Sequence, residues 1–222
     1  MVTGDIGPAR APLPSFARLF GAPLLFAIAF GWVEAAVVVY LRAIYYPGGF
    51  RFPLTLASMP HAAVEIAREA ATIVMLGAVA HAAGRTRWER FGHFAFVFGV
   101  WDIAFYLGLR AALGWPESLL TWDVLFLIPL VWTGPVLAPV LVSVLLIVSG
   151  GWIARRERAG EPIRVRRLHW FFGVVSIALL LYSFTANHAL VYAGAVPAAF
   201  PWFPFACGLG VGAGLAISVL KR

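Results

Sequence analysis

The 222-residue chain is 62% hydrophobic and 12% charged, with a mean hydropathy of +0.87. Those values exclude the one or two soluble domains that length alone would suggest, because mostly apolar stretches of roughly 20 residues recur along it. The net charge of +7 does not point to nucleic acid, since the basic residues fall in short segments between apolar runs and form no patch with aromatic or polar readers.

The expected fold is all-α, a polytopic membrane bundle of six transmembrane helices in a single domain over residues 16–222. Residues 1–15 carry three prolines and little periodicity, so they read as a flexible cytoplasmic arm. The first span, 16–45, is too long for a signal-peptide core and contains Glu34, so it reads as a retained span. Tyr45 and Tyr46 suit an interfacial anchor before the break at Pro47-Gly48-Gly49. Glu34 lies about 16 Å along the axis from Tyr45, near mid-membrane.

The second span, about 60–82 with Pro60 at its start, holds Glu65, Arg68 and Glu69. A charge at bilayer depth costs about 2.5–3.5 kcal/mol or more, so each needs a partner or a polar cavity. Helical spacing puts Glu65, Glu69 and Thr72 on one stripe with Arg68 beside it, opposite an apolar face of Val64, Val74 and Met75. The third span, about 91–112, carries Asp102 and Tyr106 on one face and His93 on the other.

Residues 117–152 would make a helix of about 54 Å, beyond the roughly 30 Å hydrocarbon core. Pro129, Gly134-Pro135 and Pro139 supply a break. The expectation is a short re-entrant or interfacial helix over 117–128, with Trp122 and Asp123 as a lid, then a fourth span over 136–153. After an arginine-rich segment, spans five (168–187) and six (204–220) complete the chain. Gly208, Gly210, Gly212 and Gly214 give two overlapping GxxxG spacings suited to close helix contact, and no strand precedes them to make a nucleotide fingerprint. The one cysteine, Cys207, excludes an internal disulfide, a CxxC metal site and a c-type haem motif.

With six spans, Arg10, Arg18, Arg85, Arg87, Arg90, the six arginines from Arg155 to Arg167, Lys221 and Arg222 fall on one side. The positive-inside rule then puts both termini in the cytoplasm, as in a bacterial cytoplasmic membrane. Glu34, Glu65, Glu69, Asp102 and Asp123 share one depth band toward the outer face, with Arg42 and Arg51 wet and remote. These carboxylates all precede the fourth span, an asymmetry that argues against a transporter of inverted repeats.

Two readings of that band follow. One is a buried ion-pair network that fixes helix register. The other is an outward-facing carboxylate–arginine site for a cation, a metal or a proton. In an enzyme acting on a lipid-like substrate, Glu65 and Glu69 would be metal ligands or bases, Asp102 a further ligand, Arg68 an anion clamp and Asp123 a lid residue. Glu34 and Tyr106 would extend a proton or hydrogen-bond path. A divalent metal on Glu65, Glu69 and Asp102 fits the donor chemistry, whereas the Glu-x-x-His motif of di-iron bundles is missing. His81, His93 and His169 carry no cue for b-type haem beyond their position, and interfacial contacts suit them as well. His61 and His188, near the outer ends, suit solvent-exposed interfacial positions, with metal ligands that cap the acidic cluster as the alternative. Serines near no readable base give no support for nucleophilic catalysis. The expected surroundings are lipid and, through spans four to six and the glycine-rich span, a membrane-protein partner or a second copy. An accessory subunit of a larger complex and a small transporter are the alternative functions.

Overall fold

The computed structural model describes residues 15–50, 52 and 62–220. The expected N-terminal arm up to residue 14, the helix start at Pro60, and Arg51, His61, Lys221 and Arg222 lie outside them. Seven helices and one hairpin follow among the described residues: α1 (Phe16–Tyr45), α2 (Ala62–Ala83), α3 (Arg87–Leu113), β1 (Trp122–Phe126), β2 (Trp132–Pro135), α4 (Leu137–Arg158), α5 (Arg167–Thr185), α6 (His188–Tyr192) and α7 (Trp202–Leu220). Five segments are long and apolar enough to cross a membrane: 16–45, 87–113, 137–158, 167–192 and 202–219. The expectation was six; α2, with three charges in its first eight residues, is not among the five.

Local chemistry sets the boundaries. Ser15 caps α1, accepting the Arg18 N–H on its side chain. Thr86 caps α3 by accepting the Glu89 N–H at 3.0 Å, which starts that helix four residues earlier than hydropathy alone suggests. Gly114, at φ 67°, takes the left-handed conformation that ends α3.

Between α3 and α4 the structure corrects the sequence reading. Residues 117–128 form no short helix; Trp122–Phe126 pairs antiparallel with Trp132–Pro135. Trp122 faces Pro135, Asp123 faces Gly134 and Val124 faces Thr133, with an irregularity between Val124 and Phe126. Aromatic and β-branched residues favour the strand, and Pro129 and Pro135 disfavour continuing a helix. Non-helical backbone survives within a membrane bundle only where protein or a cavity answers its polar groups. Here the Leu127 N–H donates to both carboxylate oxygens of Glu69, at 3.1 and 2.9 Å.

α3 is the central helix, and small residues let its neighbours approach closely. A Cβ on Gly31 would sit 2.7 Å from the Trp101 carbonyl oxygen, and one on Gly99 would sit 2.5 Å from that of Ser143. α1 and α4 thus meet α3 backbone to backbone. The stripe Glu65, Glu69, Thr72, Leu76 and Ala80 of α2 turns inward, while Val64, Val74 and Met75 are exposed. α2 lies lengthwise in the bundle: Glu65 joins α1 through Arg68 near one end, and the Ala83 carbonyl accepts from Arg158 of α4 at the other. α5 and α7 form an outer pair, closed where Gly208 and Gly212 meet Ser176. Gly210 and Gly214, the other half of the glycine pattern, face open space. Phe184, Phe200 and Phe205 join this pair to α4 and the hairpin in a second apolar core.

Candidate functional site

The hairpin, α1, α2, α3 and α4 enclose a cavity of about 190 Å³. Every site residue expected from the sequence lines it: Glu34, Glu65, Arg68, Glu69, Asp102, Tyr106 and Asp123. The five carboxylates are all buried. Apolar walls come from Phe98, Trp101, Phe105, Phe126 and Trp132.

The polar groups divide into four sets. Arg68 bridges α2 to α1, pairing with Glu34 and with Glu65, its Nε donating to the latter at 2.9 Å. Thr72 adds a hydroxyl to Glu34 at 3.3 Å. Glu34 is therefore ion-paired across helices, although its own helix gives it no charged neighbour within a turn. Glu69 is occupied by the hairpin backbone. Asp102 accepts the Ser143 hydroxyl at 2.8 Å. Asp123 takes Arg42 at 3.2 Å on one oxygen and the Tyr106 hydroxyl at 3.3 Å on the other.

Arg42 is the principal correction. It is neither wet nor remote, but 8% exposed, and its guanidinium lies 4.1 Å from the Phe50 ring centroid and 3.7 Å from that of Trp115. Those rings and Asp123 together supply the stabilisation a buried guanidinium requires. The only sequence signal was its place one turn inside the end of α1. Asp123 is likewise not at the surface but 2% exposed. Burial pushes its carboxyl up to about 6, against the opposing pull of Arg42, the Val124 N–H and the Tyr106 hydroxyl. Ser143 is the second residue missed. Its partner Asp102 comes from another helix, so spacing within one segment could not reveal it. α4 thus belongs to the cavity wall and is not merely packing.

Outside Arg42 lies a wider vestibule of about 890 Å³, lined by Tyr46, Phe50, Phe52, Trp115 and Trp122 among others. Arg42, Tyr46 and Phe50 line both spaces, so Arg42 sits at the boundary between vestibule and cavity.

Among the described residues no group of three His, Cys, Asp or Glu stands close enough to hold a metal ion. His188 contacts the Thr185 carbonyl at 2.8 Å. His93 is enclosed beside the Phe20 ring and 3.9 Å from Glu89, whereas His169 meets Arg166 and Ser218; His81 is exposed. No protein-family model, curated protein or solved structure matches this chain.

Proposed function

We propose that the cavity is a binding site for a small organic cation, reached from the vestibule through the Arg42–Asp123 boundary. The observation that carries this reading is the imbalance of charge. Five carboxylates face two arginines around one aromatic-walled space. Arg68 is shared by Glu34 and Glu65 and also faces Glu69, and Arg42 is taken by Asp123, so Asp102 has only the neutral Ser143 donor. Buried carboxylates without cationic partners need protons or a bound cation to offset their charge. An alkylammonium needs only one or two carboxylates and a π-face to bind, whereas a hard divalent ion needs six or more converging oxygens. Roughly 150 Å³ already admits a benzene-sized guest, so the cavity suits an amine of a few heavy atoms. The buried indole N–H groups of Trp101 and Trp132 have no partner among the described residues, which favours a ligand that also carries an oxygen acceptor.

In this reading α2 is a sixth span. It parallels its neighbours from Glu65 to Ala83, and its 22 residues measure about 33 Å at 1.5 Å each. The arginine-rich ends are then cytoplasmic and the vestibule faces outward.

Asp102 is the expected primary contact. Titration of the purified protein with butylammonium, followed by tryptophan fluorescence or calorimetry, tests this, with butanol as the neutral counterpart. Binding of the amine alone, weakened about tenfold or more in Asp102→Asn, is the expected result. That factor corresponds to about 1.4 kcal/mol, at the lower end for a charged hydrogen bond. Equal binding of amine and alcohol, or of amine to both proteins, would remove the proposal.

A further inference from the structure

The groove between α5 and α7, at the end of the bundle remote from the acidic cavity, is independent of the reading above. It has a volume of about 360 Å³ and is lined by Arg166, His169, Phe172, Val211, Gly214 and Ser218, among others. We propose that it holds an anionic phospholipid, with the phosphate at Arg166 and Ser218 and an acyl chain along Phe172 and Val211.

Three observations support the assignment. First, the polar end is built. His169 is buried, its Nδ1 accepts the Arg166 N–H at 3.2 Å, and its Nε2 lies 3.4 Å from the Ser218 hydroxyl. With Nδ1 an acceptor, Nε2 carries the proton and directs it at Ser218 Oγ, which leaves the hydroxyl's own proton for an acceptor in the groove.

Second, the charge of the segment that brings Arg166 to the groove is unbalanced. Of the acids in this segment, Glu157 receives Thr86 and the Ile163 N–H, and Glu161 pairs with Arg156. Arg164, Arg166 and Arg167 are exposed and form no ion pair among the described residues. Three uncompensated guanidinium groups beside apolar helix ends complement an anionic headgroup, and basic pockets between membrane helices have this composition.

Third, the apolar part has the form of a chain-sized slot. Gly214 forms its floor, and a Cβ there would meet nothing within 4 Å. From Ser218 to Val211 the helix advances about 10 Å, a length that fits the upper part of an acyl chain and exceeds any free phosphate.

The experiment uses the full chain in nonionic detergent. Retained lipid is counted by native mass spectrometry and the melting temperature is followed on adding phosphatidylglycerol, phosphatidylcholine or soluble glycerol phosphate. Phosphatidylglycerol is expected to bind and raise the melting temperature, with the other two much weaker. Arg166→Ala should weaken phosphatidylglycerol by about fivefold, the worth of one basic residue at an anionic surface. Gly214→Leu should fill the slot and abolish retention, whereas Gly210→Leu, on the open face outside the groove, should retain lipid. Equal retention of both phospholipids, full retention in Gly214→Leu, or an equal response to glycerol phosphate would overturn the proposal. If Gly214→Leu melts low without any lipid, the Arg166→Ala comparison decides, and an unchanged affinity there refutes the assignment.

Discussion

At the residue scale, the arrangement turns on how few cations answer many buried acids. Among the cavity acids, Asp123 is the one that sits on the hairpin, outside the spans. Its folded-state value of about 6 exceeds the ordinary carboxylate value of about 3.9. The folded protein therefore holds a proton between those values that the unfolded chain has released. The group's contribution to stability is greatest below about pH 4 and falls as pH rises to about 6. Above that the Arg42–Asp123 pair is fully ionised. Melting temperatures of the native protein and Asp123→Asn, compared from pH 4 to 8, should differ by a curve that declines over that window and is flat beyond it. A pH-independent difference would show that Asp123 titrates normally. Arg42 and Ser143 show why residue-level reading of the sequence stopped short. Each finds its acid on another element, Arg42 on the hairpin and Ser143 on α3, and separation along the chain carries no trace of that.

At the element scale, the hairpin and the α3–α4 contact hold the cavity open. Glu69 serves the hairpin by accepting the Leu127 N–H, a role that only needs an oxygen in place. Glu69→Gln should therefore cost little, while Glu69→Leu should destabilise by about 1 kcal/mol, the lower end of the penalty for orphaning a backbone donor, since this one is only partly buried. Equal stability of the two variants, measured by thermal unfolding in detergent, would show that the donor is satisfied elsewhere. The α3–α4 approach depends on the missing side chain at Gly99. A valine there must push against the Ser143 carbonyl, and overpacking of this kind costs about 1–3 kcal/mol. Gly99→Val should thus both lower the melting temperature and weaken amine binding by moving Ser143 from Asp102. Long apolar runs and the stripe on α2 were legible because helical periodicity is local. The hairpin was not, because its prolines announced a break without saying what would fill it.

At the scale of the whole molecule, two chemically opposite spaces lie at opposite ends. An acidic, aromatic cavity lies where α1, α2 and the hairpin converge, and a basic groove lies where α5 begins and α7 ends. The arginines beside the groove, not the acids of the cavity, are what bias orientation in a membrane. If α2 crosses with the other five, tags on the two termini should be protected together from an external protease in sealed cells. Exposure of one and protection of the other would require an odd number of crossings.

Composition and periodicity sufficed for a helical membrane protein, for the inward stripe of α2 and for the set of acids worth watching, since each of these is a property of neighbours along the chain. The partnerships of those acids, the burial of Arg42, the strand pairing after α3 and the volume between the helices were decided only by tertiary structure. Each depends on which segments meet across the bundle, and that is settled by close backbone approach at glycines and by the need to satisfy every buried charge and backbone donor together.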